Sequence, residues 1–258
     1  MALPQTLNRG HRLTAVYAHR GSTGPARENT IDAFIAARRR LADGVELDVR
    51  RCADGTLVVH HDAVVPGAGP VDSLTRAELP KWVPSLHEAL ASCADLLVNV
   101  EVKSDTEGPA HDPFERCAVA AARMCADGGS GFGAATIVMS SFSLPALVAA
   151  QGEAAELQLG WLCGAAAIVD LSATLETAAR LGFAAVHPFH MLIDPAFVQD
   201  AHRAGLAVRA WTVDDPERIA ELAAIGTDAV VTNDVRAALG ALGRRVGKNG
   251  PPSGTISP

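Results

Sequence analysis

The chain has 258 residues, 48% of them hydrophobic and 20% charged, enough for one sizeable core and short for two full domains. Its formal net charge of −7 argues against a nucleic-acid or anionic-membrane partner, though a local basic pocket for one small anion is compatible with it. No run of 18 or more uncharged apolar residues is present, so no membrane span is expected.

The first residues, Met1 to Leu13, carry Asn8, Arg9, His11 and Arg12 and lack an apolar leader core, so no signal peptide is expected. The first strand is predicted over Thr14–Ala18, and a helix over Thr30–Ala42 with Ile31, Phe34, Ile35 and Leu41 on one side. Val45–Val49 and Leu57–His61 are the next strand candidates. Asp54 and Gly55 between them form a two-residue hairpin signal, too short for a parallel crossover, so Leu57–His61 should run antiparallel to Val45–Val49. Ser85 with Glu88 is a capping box opening an Ala/Leu-rich helix.

Further strands are predicted at Leu96–Val102, Thr136–Ser140, Leu157–Leu162, Ala184–His187, Ala207–Thr212 and Ala229–Thr232. Helical patterns cover Asp170–Leu181, Pro195–Ala204, Pro216–Ile225 and Val235–Leu242, and Gly128, Gly182, Gly205 and Gly226 suit positions just past helix ends. The segment Gly247–Pro258 is rich in Gly, Pro and Ser and is expected to be a disordered tail after a single catalytic domain of residues 1–246. The five cysteines, Cys52, Cys93, Cys117, Cys125 and Cys163, show no metal-type pairing and read as reduced core thiols of a cytoplasmic protein.

Alternating strands and helices with mostly apolar strands imply a parallel sheet covered on its outer face. With the antiparallel hairpin strand set aside, eight parallel strands remain, the number a (β/α)₈ barrel needs, with its chemistry at the C-terminal strand ends. An open doubly wound sheet is the rival; the absence of a Gly-rich phosphate loop after the first strand weakens it.

Side chains alternate along a strand, so Glu46 and Asp48 share one face while Val45, Leu47 and Val49 share the other. If the aliphatics face the outer helices, the two acids point inward, where like charges need a counter-ion. A solvated acidic face is the alternative. Asn99, Glu101 and Lys103 repeat the pattern on the next parallel strand, and three inward carboxylates form a set that Mg²⁺ or Ca²⁺ accepts. Lys103 can pair with Glu101 or reach a substrate oxyanion. A two-residue hairpin loop would set His61 directly across from Asp48, with Cβ atoms about 4.5–5.5 Å apart, and turn His60 away; a one-residue bulge would reverse that choice. His19, Arg20 and Gly21 end the first strand, where a guanidinium can fork onto a phosphate. Arg20 could instead pair with Glu28.

These pieces in order resemble the motif series of the glycerophosphodiester phosphodiesterase family. They are His19-Arg20-Gly21, Glu28-Asn29-Thr30, Glu46-x-Asp48, Asp54-Gly55, His61-Asp62, Val83-Pro84-Ser85-Leu86, Glu101-x-Lys103, Ser141-Phe142, Trp211-Thr212-Val213 and Gly226-x-Asp228, spanning about residues 16–236. The resemblance implies that Glu46, Asp48 and Glu101 hold one divalent cation and that His19 and His61 are the acid–base pair. It also implies that Arg20 and Lys103 contact phosphoryl oxygens, that Phe142 and Trp211 line the apolar part of the pocket, and that Glu28, Asn29 and Thr30 brace the first loop. The chain departs from the family pattern after Asp62, where an Arg-Thr-Thr stretch is missing, at Arg27, where proline commonly stands, and after Asp234. The expected activity is hydrolysis of a small glycerophosphodiester to glycerol 3-phosphate and an alcohol. The alternatives are a lysophospholipase-D-like or cyclising lyase activity and, further off, a non-catalytic phosphodiester-binding barrel.

Overall fold

The computed structural model describes residues 13–21, 24–93, 95–104, 112–126, 137–164 and 170–245. The amino-terminal segment, Gly128, Thr136 and the tail from Gly247 lie outside the described residues.

Eight βα units follow one another: β1 (Ala15–Ala18) and α1 (Ile31–Arg39), β2 (Gly44–Arg51) and α2 (Leu86–Ser92), β6 (Leu97–Val102) and α3 (Arg116–Ala126), β7 (Ile137–Ser141) and α4 (Leu144–Glu153), β8 (Gln158–Cys163) and α5 (Leu171–Arg180), β9 (Ala185–Pro188) and α6 (Pro195–Arg203), β10 (Ala207–Ala210) and α7 (Pro216–Ala224), and β11 (Ala229–Thr232) and α8 (Val235–Ala241). Between β2 and α2 the chain adds β3 (Leu57–Val59) and a small antiparallel pair, β4 (Val64–Val65) and β5 (Gly69–Pro70). β1 pairs in parallel with both β11 and β2, which closes the eight-stranded barrel, and β3 lies antiparallel on the far half of β2. The expected (β/α)₈ fold with one extra hairpin strand is the observed one.

The helices start where short polar side chains cap their free amides. Thr30, Ser143, Asp170, Asp194, Asp215 and Asp234 each accept from a backbone N–H of the first turn, and Ser85 with Glu88 forms the reciprocal capping box. Gly182, Gly205 and Gly226 follow α5, α6 and α7 with φ of +73°, +81° and +91°, the left-handed conformation that terminates a helix at least cost for glycine. The sequence pattern did not single out α3 and α4. In α4 the buried Ala146 and Ala150 give little periodic contrast, whereas α3, with Ala118, Ala121 and Ala122 buried, is as amphipathic as α5.

The main core lies between barrel and helices: Val45, Leu47, Val49, Val98, Val100 and Val102 meet helical residues such as Phe34, Leu86, Ala121 and Leu147. The aliphatic faces of β2 and β6 therefore point outward and their polar faces inward. A satellite cluster of Cys52, Val58, Val65, Val71, Leu79 and Val83 anchors the excursion between β2 and α2. All five cysteines are free thiols, and burial raises their pKa, to about 12 at Cys93, Cys125 and Cys163.

Inside the barrel, Gly160 of β8 makes room for the fully buried His187 of β9. A Cβ at Gly160 would overlap the imidazole, with Cδ2 only 2.9 Å away. Gly160→Ala is expected to cost about 1–3 kcal/mol through overpacking. In urea melts that cost should vanish when His187→Ala is the background; an equal cost in both backgrounds would show that the ring is not what the methyl meets.

Candidate active site

Adjacent strand register builds the acidic centre. Glu46 lies beside Asn99 and Asp48 beside Glu101 across the β2–β6 pair, so Asp48 and Glu101 share one level and Glu46 sits two residues before Asp48 on the same face. Glu46, Asp48 and Glu101 are buried, and one oxygen from each lies within 4.8 Å of the others. Lys103 Nζ donates to Asp48 Oδ1 at 2.8 Å and to Glu101 Oε1. Arg20 Nε lies 3.3 Å from Asp48 Oδ2, its backbone N–H donates to Glu46 Oε2 at 2.9 Å, and its Nη1 donates to Glu28 at 2.9 Å. The internal pairings expected from the sequence, Lys103 with Glu101 and Arg20 with Glu28, are both present.

Position explains how each carboxylate titrates. Burial, with Asp48 and Glu101 close by, pushes Glu46 well above the usual carboxylate range. Burial acts the same way on Asp48, but Lys103, Arg20 and Asn29 outweigh it and hold that group low. Glu101 is raised by burial despite Lys103, while Lys103 is raised by the two carboxylates despite its burial. The two shifts pull opposite ways on the ionised pair; the direct ammonium–carboxylate hydrogen bond, with Lys103 also paired to Asp48, favours the ionised form.

Three carboxylates against Lys103 and Arg20 leave one net negative charge, and Glu46 Oε1 is buried without a hydrogen-bond partner. An orphaned oxygen in an under-compensated oxygen-only site fits a hard divalent cation. Such an ion would offset the excess negative charge.

Arg20, held at φ 54°, turns the loop after β1 so that His19 and Arg20 both reach the centre, and Gly21 (φ +66°) allows Phe34 to pack against that turn. His19 Nε2 lies 3.9 Å from Glu46 Oε2, and burial, partly opposed by its bond to Asn233, lowers the ring's pKa. Asn29 does more than brace its loop: its Nδ2 donates to Asp48 Oδ2 at 2.7 Å, and its Oδ1 accepts the Asp48 N–H at 3.2 Å. Phe142 and Trp211 follow β7 and β10 and pack edge-to-face, ring centroids 5.3 Å apart, and Phe189 also packs against Trp211 at 5.7 Å.

The hairpin register corrects one expectation. Val49 faces Val59, Arg51 faces Leu57, and the His60 N–H donates to the Asp48 carbonyl at 3.0 Å, so His60 and not His61 lies across from Asp48. The loop is one residue longer than the two-residue turn. Cys52 N–H bonds Thr56, Gly55 N–H bonds Cys52, and Gly55 sits at φ +88°, the bulge that shifts every opposed pair by one. His60 packs against Trp82 in the satellite cluster, whereas His61 is half-exposed in the bend beyond β3. The His61 carbonyl accepts from Arg50 Nε at 2.8 Å and its Nδ1 lies 2.7 Å from Asp62 Oδ1. The described contacts thus join His19, Arg20, Glu46, Asp48, Glu101 and Lys103, with His61 on the neighbouring loop. The stacking of the Arg27 guanidinium 4.1 Å over Trp82 was not foreseen, because no local pattern links the two residues.

Residues 19–237 match the glycerophosphoryl diester phosphodiesterase family. A glycerophosphodiester phosphodiesterase of Caldanaerobacter subterraneus is 32% identical over 243 residues, covering 86% of this chain and 94% of that protein. An Oleispira antarctica phosphodiesterase, solved with the product sn-glycerol-3-phosphate, superposes with a TM-score of 0.77 at 26% identity, over 90% of this chain and 97% of that one. A glycerophosphodiester phosphodiesterase of Parabacteroides distasonis gives a TM-score of 0.75 at 25% identity, over 91% and 98%. Carrying the family's residue series on a closed barrel of the same form, the chain belongs to the glycerophosphoryl diester phosphodiesterase family and is a phosphoric diester hydrolase.

Proposed function

We propose that the enzyme hydrolyses small glycerophosphodiesters to glycerol 3-phosphate and an alcohol, using one divalent cation, Mg²⁺ or Ca²⁺. Glu46, Asp48 and Glu101 would hold the ion, which when bound supplies positive charge to the phosphoryl group and acidifies a nearby hydroxyl. The observation that carries this reading is the convergence of three buried carboxylates at the barrel mouth with one oxygen unpartnered. Likeness to the Oleispira antarctica protein, solved with sn-glycerol-3-phosphate, supports the choice of product.

Arg20 and Lys103 bind the phosphoryl oxygens, each keeping a carboxylate contact that fixes its direction. His19 and His61 move the protons: one ring takes the proton of the attacking hydroxyl, and the other gives one to the departing alcohol. The attacking hydroxyl belongs either to water or to the substrate's own glycerol, through a cyclic phosphate. Phe142 and Trp211 cover the apolar side of the pocket and exclude water. With glycerophosphocholine, glycerophosphoethanolamine and glycerophosphoglycerol as substrates, glycerol 3-phosphate should appear with Mg²⁺ or Ca²⁺ and not in EDTA. A cyclic phosphate as the final product would identify a lyase, and full activity in EDTA would remove the cation from the scheme.

A further inference from the structure

We propose that Asn233, oriented by Asp214, is a positioning residue that fixes His19 in the tautomer protonated on Nδ1, so that Nε2 alone serves the reaction centre. This rests on the reading of His19 as a proton-transfer group. The seam between β11 and β1, where Ala18 lies beside Thr232, brings Asn233 against the loop that carries His19. Asp214, just after β10, accepts from the Asn233 N–H at 2.7 Å and the Thr232 hydroxyl at 3.0 Å through Oδ1, and from Asn233 Nδ2 at 2.7 Å through Oδ2. Thr232 Oγ1 in turn accepts the Asp234 N–H at 3.1 Å, and Asp234 caps α8, so the segment is held from both sides.

The tautomer follows from what each group can donate. A carboxylate only accepts, so the Asn233 amide nitrogen must face Asp214; the flipped amide would set oxygen against oxygen. The Asn233 Oδ1 therefore faces His19, 2.7 Å from Nδ1. An amide oxygen also only accepts, so Nδ1 carries the hydrogen. In the neutral ring the lone pair then sits on Nε2, the nitrogen 3.9 Å from Glu46 Oε2. In the charged ring both nitrogens carry hydrogen, Nδ1–H stays with Asn233, and the proton that exchanges is again the one on Nε2. Burial disfavours the Asp214 charge, yet the Asn233 and Thr232 donors keep its carboxyl below the usual range, so the anchor stays ionised. The group that touches His19 Nδ1 is a neutral amide, so the ring is oriented at that nitrogen without a charged partner in direct contact.

Two measurements test this. In ¹⁵N-labelled protein without added metal, long-range ¹⁵N–¹H correlations, assigned with His19→Ala, should show neutral His19 protonated on Nδ1. Asp214→Asn frees the amide to flip and should add the Nε2–H form, lowering kcat by about 10–100-fold with KM little changed, the size of effect that groups orienting a functional histidine have. Asn233→Leu should lose as much. The swapped pair Asp214→Asn with Asn233→Asp restores an acceptor toward Nδ1 and a donor behind it, and should recover most of kcat. A wild-type spectrum showing Nε2–H overturns the proposal, as does an unchanged kcat in both single variants. The spectrum needs no turnover, so a protein with Nδ1–H at His19 but no glycerol 3-phosphate release refutes the proposed substrate and not the tautomer.

Discussion

His19→Ala and His61→Ala are each expected to lower kcat by about 10²–10⁴-fold, the usual contribution of a positioned acid–base group, while divalent-cation binding, followed by calorimetry, should match the wild type. Cation binding should be spared because the converging oxygens belong to three carboxylates and not to the imidazoles. His19 is tied to the centre by its approach to Glu46. His61 is less constrained, and the register places His60 nearer, opposite Asp48. The His60 ring, however, is buried against Trp82 at 5.8 Å with its Nδ1 2.9 Å from the Asp62 carbonyl, whereas the His61 ring is half-exposed beside the Asp62 carboxylate. His60→Ala should therefore alter stability more than kcat. If His60→Ala were inactive and His61→Ala active, the second proton-transfer role would belong to His60.

The second large effect is at Glu46. Burial beside two other carboxylates raises its pKa in the folded, metal-free protein. A carboxyl raised in the folded state binds its proton more tightly folded than unfolded. Stability is thus highest on the acid side and falls as pH rises from the unfolded value toward the folded one. At pH 7 the metal-free protein carries that penalty. Glu46→Gln removes it and keeps an acceptor for the Arg20 N–H. In EDTA the variant should melt above the wild type: each pKa unit of relief corresponds to about 1.4 kcal/mol, which is about 2–4 °C for a domain of this size. Added Mg²⁺ or Ca²⁺ should raise the wild-type melting temperature by ligand linkage and leave the variant unmoved, with turnover abolished. A Glu46→Gln protein that melts below the wild type in EDTA, or gains as much from the cation, would contradict both the strain and the ligand role.

The sequence by itself determined the barrel and the composition of its acidic centre. Period-two alternation on Val45–Val49 and Leu96–Val102 fixed which faces are aliphatic, and an aliphatic face must meet the helices, so Glu46, Asp48 and Glu101 had only the interior left. Helix starts at Ser85 and Thr30 and stops at Gly182, Gly205 and Gly226 were equally readable, because caps and left-handed glycines act within a few residues. The tertiary structure decided what depends on distant segments meeting. A single bulged residue at Gly55 exchanged His61 for His60 opposite Asp48, a choice that two-residue and three-residue turns leave almost balanced in sequence. The chain from Asp214 through Asn233 to His19 exists only because barrel closure joins the last strand to the first, 214 residues apart. Hydrogen-bond direction between such partners follows from their chemistry, but which partners meet follows from closure alone.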